Sequence, residues 1–148
     1  MFSVNEDYEK LEVYQLGYDA VLRVYYLTDN FPEAERTVLG SQLRRAALSV
    51  PLNIAEGSGA GTYRSYLNFL LFAYRSLREL QVGLRLAHDL KFLRDVDFSA
   101  LAELCDKCAR KLWCYMKYVD ERGGQSRVWK RHQKTEEHWA VIAKPQSL

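Results

Sequence analysis

Apolar positions recur along this chain at spacings of three and four residues, in four separate blocks. Leu11, Tyr14, Tyr18, Val21, Tyr25 and Thr28 make the first stripe, which predicts one amphipathic helix with this face on the core. Phe31-Pro32-Glu33 ends it and starts a second helix, because Pro suits a first-turn position and acidic groups suit the positive end of the helix dipole. The second stripe is Leu39, Leu43, Ala46, Val50 and Ile54. Pro51 interrupts the hydrogen-bond ladder of that helix and predicts a kink or break near Ala47 to Pro51. Gly57, Gly59 and Gly61 predict a loop, with Gly57 as a left-handed helix terminus. Thr62 is the expected cap of a third helix whose core face is Tyr66, Phe69, Leu70, Ala73, Leu77, Leu80, Leu84 and Ala87. After Leu93, Asp95 or Asp97 is expected to cap a fourth helix. Its stripe is Leu101, Cys105, Cys108, Leu112, Tyr115 and Val119, and it ends at Gly123-Gly124. Connections this short make neighbours antiparallel, so the fold class is all-α: an up-down-up-down four-helix bundle over residues 1–122, followed by a basic, Trp-containing tail over 123–148.

Composition sharpens this picture. A chain of 148 residues fits one domain, and a hydrophobic content of 48% supplies a core. No apolar run approaches the roughly 20 residues of a membrane span. The N-terminus lacks a basic region followed by an apolar one, and the three cysteines sit inside helical patterns; both point to the reducing cytoplasm. The net charge of +2 is unevenly placed. Residues 1–38 carry three basic against eight acidic groups, residues 62–94 six against two, and residues 123–148 five against two. Such asymmetry bears on partners more than on fold.

Candidate chemistry is sparse. Glu56-Gly57-Ser58-Gly59-Ala60-Gly61 resembles a phosphate loop only in its glycines. A helix precedes it where a strand is needed, and no Lys follows in the Walker position. Cys105 and Cys108 have the spacing of half a zinc site, but Cys114 and the three histidines lie at no matching distance, and both cysteines fall on an apolar stripe. They read as core residues, and no metal, cofactor or small-molecule substrate is expected. No histidine stands in a nucleophile–base arrangement, so no catalytic residue and no enzyme activity are expected. Arg44, Arg45, Asn53 and Glu56 read as a polar network tying helix ends together, with Glu79 as a further member; a ligand site is the alternative.

Helix three departs from a simple solvated face. At about 100° per residue, Arg64, Arg75, Arg78 and Arg85 cluster opposite its core stripe, and Leu71, Val82 and Leu86 project into the same sector. A helix apolar on its back as well as its front packs against something further, which makes these three residues the expected oligomer interface. The four arginines, with Arg127, Lys130 and Arg131 of the tail beside Trp129, are the candidate nucleic-acid contacts. A solvated terminus is the other reading of the tail, and Trp139, Val141 and Ile142 offer a means of docking its end on the bundle or on a neighbouring subunit.

The run Ser41 to Gly57, SQLRRAALSVPLNIAEG, resembles the pattern S-Q-[LI]-R-R-A-A-x-S-[IV]-P-x-N-I-A-E-G of the 23S rRNA intervening-sequence proteins. Leu11-Glu12-Val13-Tyr14-Gln15, Tyr26-Leu27-Thr28, Phe31-Pro32, Phe69-Leu70 and Ser76-Leu77-Arg78-Glu79-Leu80 extend the likeness over roughly residues 8 to 120. In that pattern Arg44, Arg45, Pro51, Asn53, Glu56 and Gly57 are structural-motif positions. The resemblance implies a four-helix bundle and a ring-like homo-oligomer, a pentamer in particular. It also implies a non-enzymatic role in binding RNA or an RNA-containing complex. A related bundle, the accessory variability determinant of diversity-generating retroelements, is similar in the same pattern; it forms a pentamer that binds a reverse transcriptase and its template RNA. A structural oligomer without a nucleic-acid ligand is the third reading.

Overall fold

The computed structural model describes residues 7–123, which are helical throughout and contain no strand. A short 3-10 turn, Tyr8–Lys10, precedes α1, Glu12–Thr28. A three-residue helical turn, Glu33–Glu35, and a π-helical stretch, Arg36–Gly40, then run directly into α2, Ser41–Ser58. Two long helices complete the bundle, α3 at Tyr63–Asp89 and α4 at Asp95–Arg122.

Side-chain contacts fix the direction of every helix pair. Toward the end of α1, Asp29 and Thr28 meet Arg44 early in α2, whereas Gly17 lies against Val50 and Pro51 further along it. Gly57 at the end of α2 abuts Tyr66 and Phe69, and Leu43 near its start abuts Gly83. Tyr63 touches Gly123, while His88 reaches Asp95 across the last turn. The Cys108 thiol faces the Val13 carbonyl, and Lys111 pairs with Glu12. Each helix therefore runs antiparallel to its chain neighbour, and α1 closes the square antiparallel to α4.

Local chemistry explains most element ends. The Thr62 hydroxyl accepts the Ser65 amide at 3.1 Å, which makes it the cap of α3. At the other end Lys91 takes the left-handed conformation (φ 66°), and the Phe92 amide bonds back to the Ala87 carbonyl at 2.9 Å. This is a Schellman closure with Lys where Gly is usual. The start of α4 differs from expectation, since Arg94 is the cap position and neither Asp95 nor Asp97 caps. Asp95 instead hydrogen-bonds His88, and Asp97 forms a two-pronged pair with Arg94 at 2.7 and 3.1 Å; both acids still stand in the first turn, where the dipole favours them.

Three further expectations are corrected. Of the kink or break expected near Pro51, the break does not occur: α2 is helical through Pro51, and the ring is buried against Gly17, whose missing Cβ lets α1 approach. Gly57 is helical and not a left-handed terminus: a Cβ there would stand 2.7 Å from the Phe69 Cβ and 2.9 Å from the Tyr66 ring, so close helix contact is its role. The face of α1 on the core is Val13, Gly17, Ala20, Val24 and Thr28, which at 100° per residue lies about 90° from the Tyr14–Tyr18–Tyr25 stripe. Small residues at this contact draw α2 close, and the tyrosines are left toward the outside.

The stripes of the other helices lie in the core largely as expected. Leu43, Ala46, Val50 and Ile54, then Leu70, Ala73, Leu77, Leu80 and Leu84, then Leu101, Cys105, Cys108, Leu112 and Val119 are buried. Among the described residues, no buried side-chain nitrogen or oxygen lacks a hydrogen-bond partner. No helix among them is long and apolar enough to cross a membrane.

Candidate nucleic-acid and assembly surfaces

The four arginines of α3 divide into two pairs. Arg64 and Arg75 lie on the outward back of the helix beside Val82 and Leu86, whereas Arg78 and Arg85 lean toward α4. Arg78 covers the Tyr74 ring at 5.7 Å and donates to the Gln81 amide oxygen at 3.0 Å. Tyr74 in turn meets Trp113 of α4, with ring centroids 5.4 Å apart. Two turns further along α3, Arg85 covers the Phe98 ring at 5.9 Å. Phe98 stacks on His88 at 4.3 Å and 11°, and His88 Nε2 lies 2.6 Å from the Asp95 carboxylate. That hydrogen bond, with the charge of His88, holds Asp95 below the usual carboxylate range. On the outward side Arg75 covers the exposed Phe72 ring at 5.9 Å.

Three of them differ from the arginines that have a carboxylate partner. Arg23, Arg44, Arg94 and Arg110 each have an aspartate partner. Arg64, Arg75 and Arg85 are exposed, and none has a carboxylate within 4 Å among the described residues. Guanidinium groups lying on aromatic rings without a counter-charge keep their donors available to an anion.

Across the bundle, the outer side of α1 is aromatic, and the two acids of that helix, Glu12 and Asp19, are paired with Lys111 and Arg23. Tyr18, Leu22, Tyr25 and Tyr26 are all exposed, Tyr26 by 73%. Tyr14 sits between Tyr8 and Tyr18, with centroids 5.1 and 5.9 Å away. Partial burial, then Tyr8, Glu9 and Tyr18, push its phenol above the ordinary value. An open groove of about 340 Å³ runs between α1 and α4, lined by Leu22, Tyr26, Leu27, Ala100 and Leu101 with Arg23 and Asp97 at its edge.

The motif arginines have different fates. Arg44 donates through Nε to the buried Thr28 hydroxyl at 2.7 Å and through a terminal nitrogen to Asp29 at 2.8 Å, and it covers the Tyr25 ring. It thereby clamps the carbonyl end of α1, where a cation is favoured. Arg45 is exposed and makes no such contact, and Glu56 is likewise exposed. The Asn53 amide donates to the Ser49 carbonyl at 2.7 Å and to its hydroxyl at 2.9 Å. That hydroxyl joins Ser76 of α3, while Glu79 pairs with Gln42. Among the described residues these are three separate local ties, and they do not include Arg45 or Glu56.

Of the expected interface, Val82 is 71% and Leu86 is 49% exposed, whereas Leu71 is only 8% exposed. Leu71 is buried although it stands only about 20° from the exposed Arg64 and Val82 around α3. Cys105 and Cys108 lie in the core, and burial pushes both thiols up to about 12. Arg127, Lys130, Arg131, Trp129 and Trp139 fall outside the described residues. The rings under the arginines were missed in the sequence, although Phe72–Arg75 and Tyr74–Arg78 have the three- and four-residue spacings that bring helical side chains together. The Trp113 and Phe98 partners come from α4 and leave no such trace.

Residues 9–114 match the profile of the 23S rRNA-intervening sequence proteins. No curated protein matches the chain. A crystal structure of a protein with unknown function from the S23 ribosomal protein family of Bacteroides thetaiotaomicron superposes with a TM-score of 0.65 at 19% identity. The match covers 71% of this chain and 98% of that one. A likeness at that identity concerns the fold.

Proposed function

The chain belongs to the 23S rRNA-intervening sequence protein family, and from that premise we propose that it is a non-enzymatic, cytoplasmic, self-associating bundle that binds RNA or an RNA-containing complex. The observation that carries this reading is Arg64, Arg75 and Arg85 of α3, exposed and without a carboxylate partner among the described residues, standing across the bundle from a tyrosine-rich α1. α1 and α3 each pack on both α2 and α4, so their outward sides face opposite ways. One copy therefore offers a tyrosine-rich surface on one side and a basic apolar surface on the other, with Val82, Leu86 and Phe72 beside Arg64 and Arg75. Unlike surfaces on opposite sides suit head-to-tail association, which closes into a ring when the rotation permits. A pentamer is the state the family resemblance implies. Repetition of the remaining basic groups around such a ring would give RNA many weak phosphate contacts at once.

Light scattering on the full chain tests the assembly: several times the monomer mass is expected, and Leu22→Glu or Val82→Glu should lower it while circular dichroism stays helical. A monomer across micromolar concentrations would exclude the ring. Filter binding of RNA at about 50 and 200 mM salt tests the ligand, since counterion release makes phosphate-driven affinity fall steeply over that range. No retention at the lower salt would leave the structural-oligomer reading.

A further inference from the structure

We propose that the solvent side of α2 is a self-complementary contact, on which a second copy of the chain packs antiparallel across a two-fold axis. Leu48 then meets Leu52 of the second copy, and Arg45 meets its Glu56. The contact uses neither of the faces assigned to the ring, so the two forms of association are independent.

Three observations carry the placement. First, four polar side chains of the motif run are tied within the chain: Gln42 to Glu79, Arg44 to Thr28 and Asp29, Ser49 to Ser76, and Asn53 to Ser49. The side chains of Arg45 and Glu56, from the same run, are exposed and make no ion pair or hydrogen bond among the described residues. Second, the side of the helix between them is apolar. Leu48 is 39% and Leu52 is 56% exposed. At 100° per residue, Arg45, Leu48, Leu52 and Glu56 lie within about 80° of one another, opposite the buried Leu43, Ala46, Val50 and Ile54. Third, the strip reads alike from either end with its charge reversed. Arg45 stands three residues before Leu48, and Glu56 stands four after Leu52. The leucine pair and the charge pair therefore share a centre to within about 0.75 Å of helix rise. The remaining charged residue of α2, Arg44, is turned to α1, so this strip holds one charge of each sign.

That pattern selects the occupant. RNA phosphates, or a partner of uniform charge, would be attracted at one end of the strip and repelled at the other. An identical strip running the opposite way satisfies both ends, and does so twice, which is the isologous contact of a two-fold pair. An apolar centre between charged ends also follows the division of protein contacts into core and rim. Pro51 does not stand in the way, because its ring lies on the inner side against Gly17. Two leucines and one ion pair from each copy make a small contact, so pairing should rise with concentration.

The test is sedimentation velocity over a range of concentrations, on the full chain and on its Leu22→Glu variant, in which the ring is broken and the α2 contact is left. Circular dichroism checks that each protein is folded. Arg45→Glu and Glu56→Arg each turn two attractive pairs into two repulsive ones, and each should weaken pairing about 10-fold. Mixed in equal amounts, the two variants should pair with one another about as tightly as the parent pairs with itself, because each introduced charge then faces its opposite. On a Cys114→Ser background, a mixture of Leu48→Cys and Leu52→Cys chains should form a mixed disulfide faster than either variant links to itself. Parental association in both charge variants, or a mixture no tighter than either variant alone, would overturn the contact. Faster linking within a cysteine variant than between the two would overturn its antiparallel register. The ring is decided separately, by the masses of Leu22→Glu and Val82→Glu.

Discussion

Gly57 offers the most direct check on how the bundle is put together. Two physical roles for it predict opposite orders of tolerance. A glycine ending a helix in the left-handed conformation is best replaced by Asn, which visits that region more readily than Ala. A glycine at a close helix crossing is best replaced by Ala, since every added atom must find room. The structure places Gly57 within α2, where a Cβ would stand 2.7 Å from the Phe69 Cβ and 2.9 Å from the Tyr66 ring. The Phe69 Cβ is fixed to the α3 backbone, so relief requires moving the helix rather than turning a side chain. Overpacking of this kind costs about 1–3 kcal/mol, and a severe contact belongs at the upper end. Alanine recovers about 1 kcal/mol of helix propensity over glycine. Gly57→Ala should therefore destabilise by about 2 kcal/mol, which for a chain of this size lowers Tm by roughly 8 °C. Gly57→Asn should cost more. Gly61→Ala, which meets nothing within 4 Å, serves as the control. Thermal unfolding followed by circular dichroism measures all three; a Gly57→Asn protein more stable than Gly57→Ala would refute the close-contact account.

Two further substitutions and one titration follow from the same contacts. Arg44→Met removes the bonds to Thr28 and Asp29 and the contact with Tyr25, and should cost about 1–2 kcal/mol in a urea titration, because charge-assisted bonds to partly buried groups carry more weight than exposed pairs. The adjacent Arg45→Met should stay within about 0.5 kcal/mol of the parent. The native chain should react with a thiol reagent at Cys114 alone near pH 8, and at all three cysteines in denaturant, because the thiols of Cys105 and Cys108 are held up to about 12. Their folded values exceed the ordinary 9.0, so the stability they contribute is intact below pH 9 and lost as pH rises toward 12. At pH 10 the loss should be about 1 kcal/mol per thiol, and Cys105→Ala with Cys108→Ala should flatten that slope.

Helix number, order and direction were legible in the sequence because three of the four stripes are large apolar residues at helical spacing, and Thr62 and Pro32 mark starts. The failures share a cause. Gly17, Gly57 and Pro51 stand at close contacts between helices, and small residues weigh little in a stripe built from large ones. A pattern search therefore turned α1 toward its tyrosines and read Gly57 as a stop. Pro51 was expected to bend the helix because its backbone cost is local and visible, while its packing against Gly17 needs a partner 34 positions away. On the candidate surfaces, the sequence located the arginines, but the rings that orient Arg78 and Arg85 belong partly to α4.

The tyrosine stripe of α1 is informative because it was assigned to the wrong side. An apolar stripe records only that a face leaves water, and it does not distinguish burial within one chain from burial between copies. The residue types do. The inner face of α1 is rich in Val, Gly and Ala, which allow close packing, while the outer face is rich in Tyr, a residue type that is enriched at contacts between chains. The back of α3 shows the corresponding feature with Arg64, Phe72, Arg75 and Val82, where a guanidinium takes the place of the phenol as the polar end of a large contact surface. Basic groups accompany the second, and α2 and α4 hold the two apart. Contact between like copies thus satisfies both faces at once, and only a closed assembly leaves neither exposed.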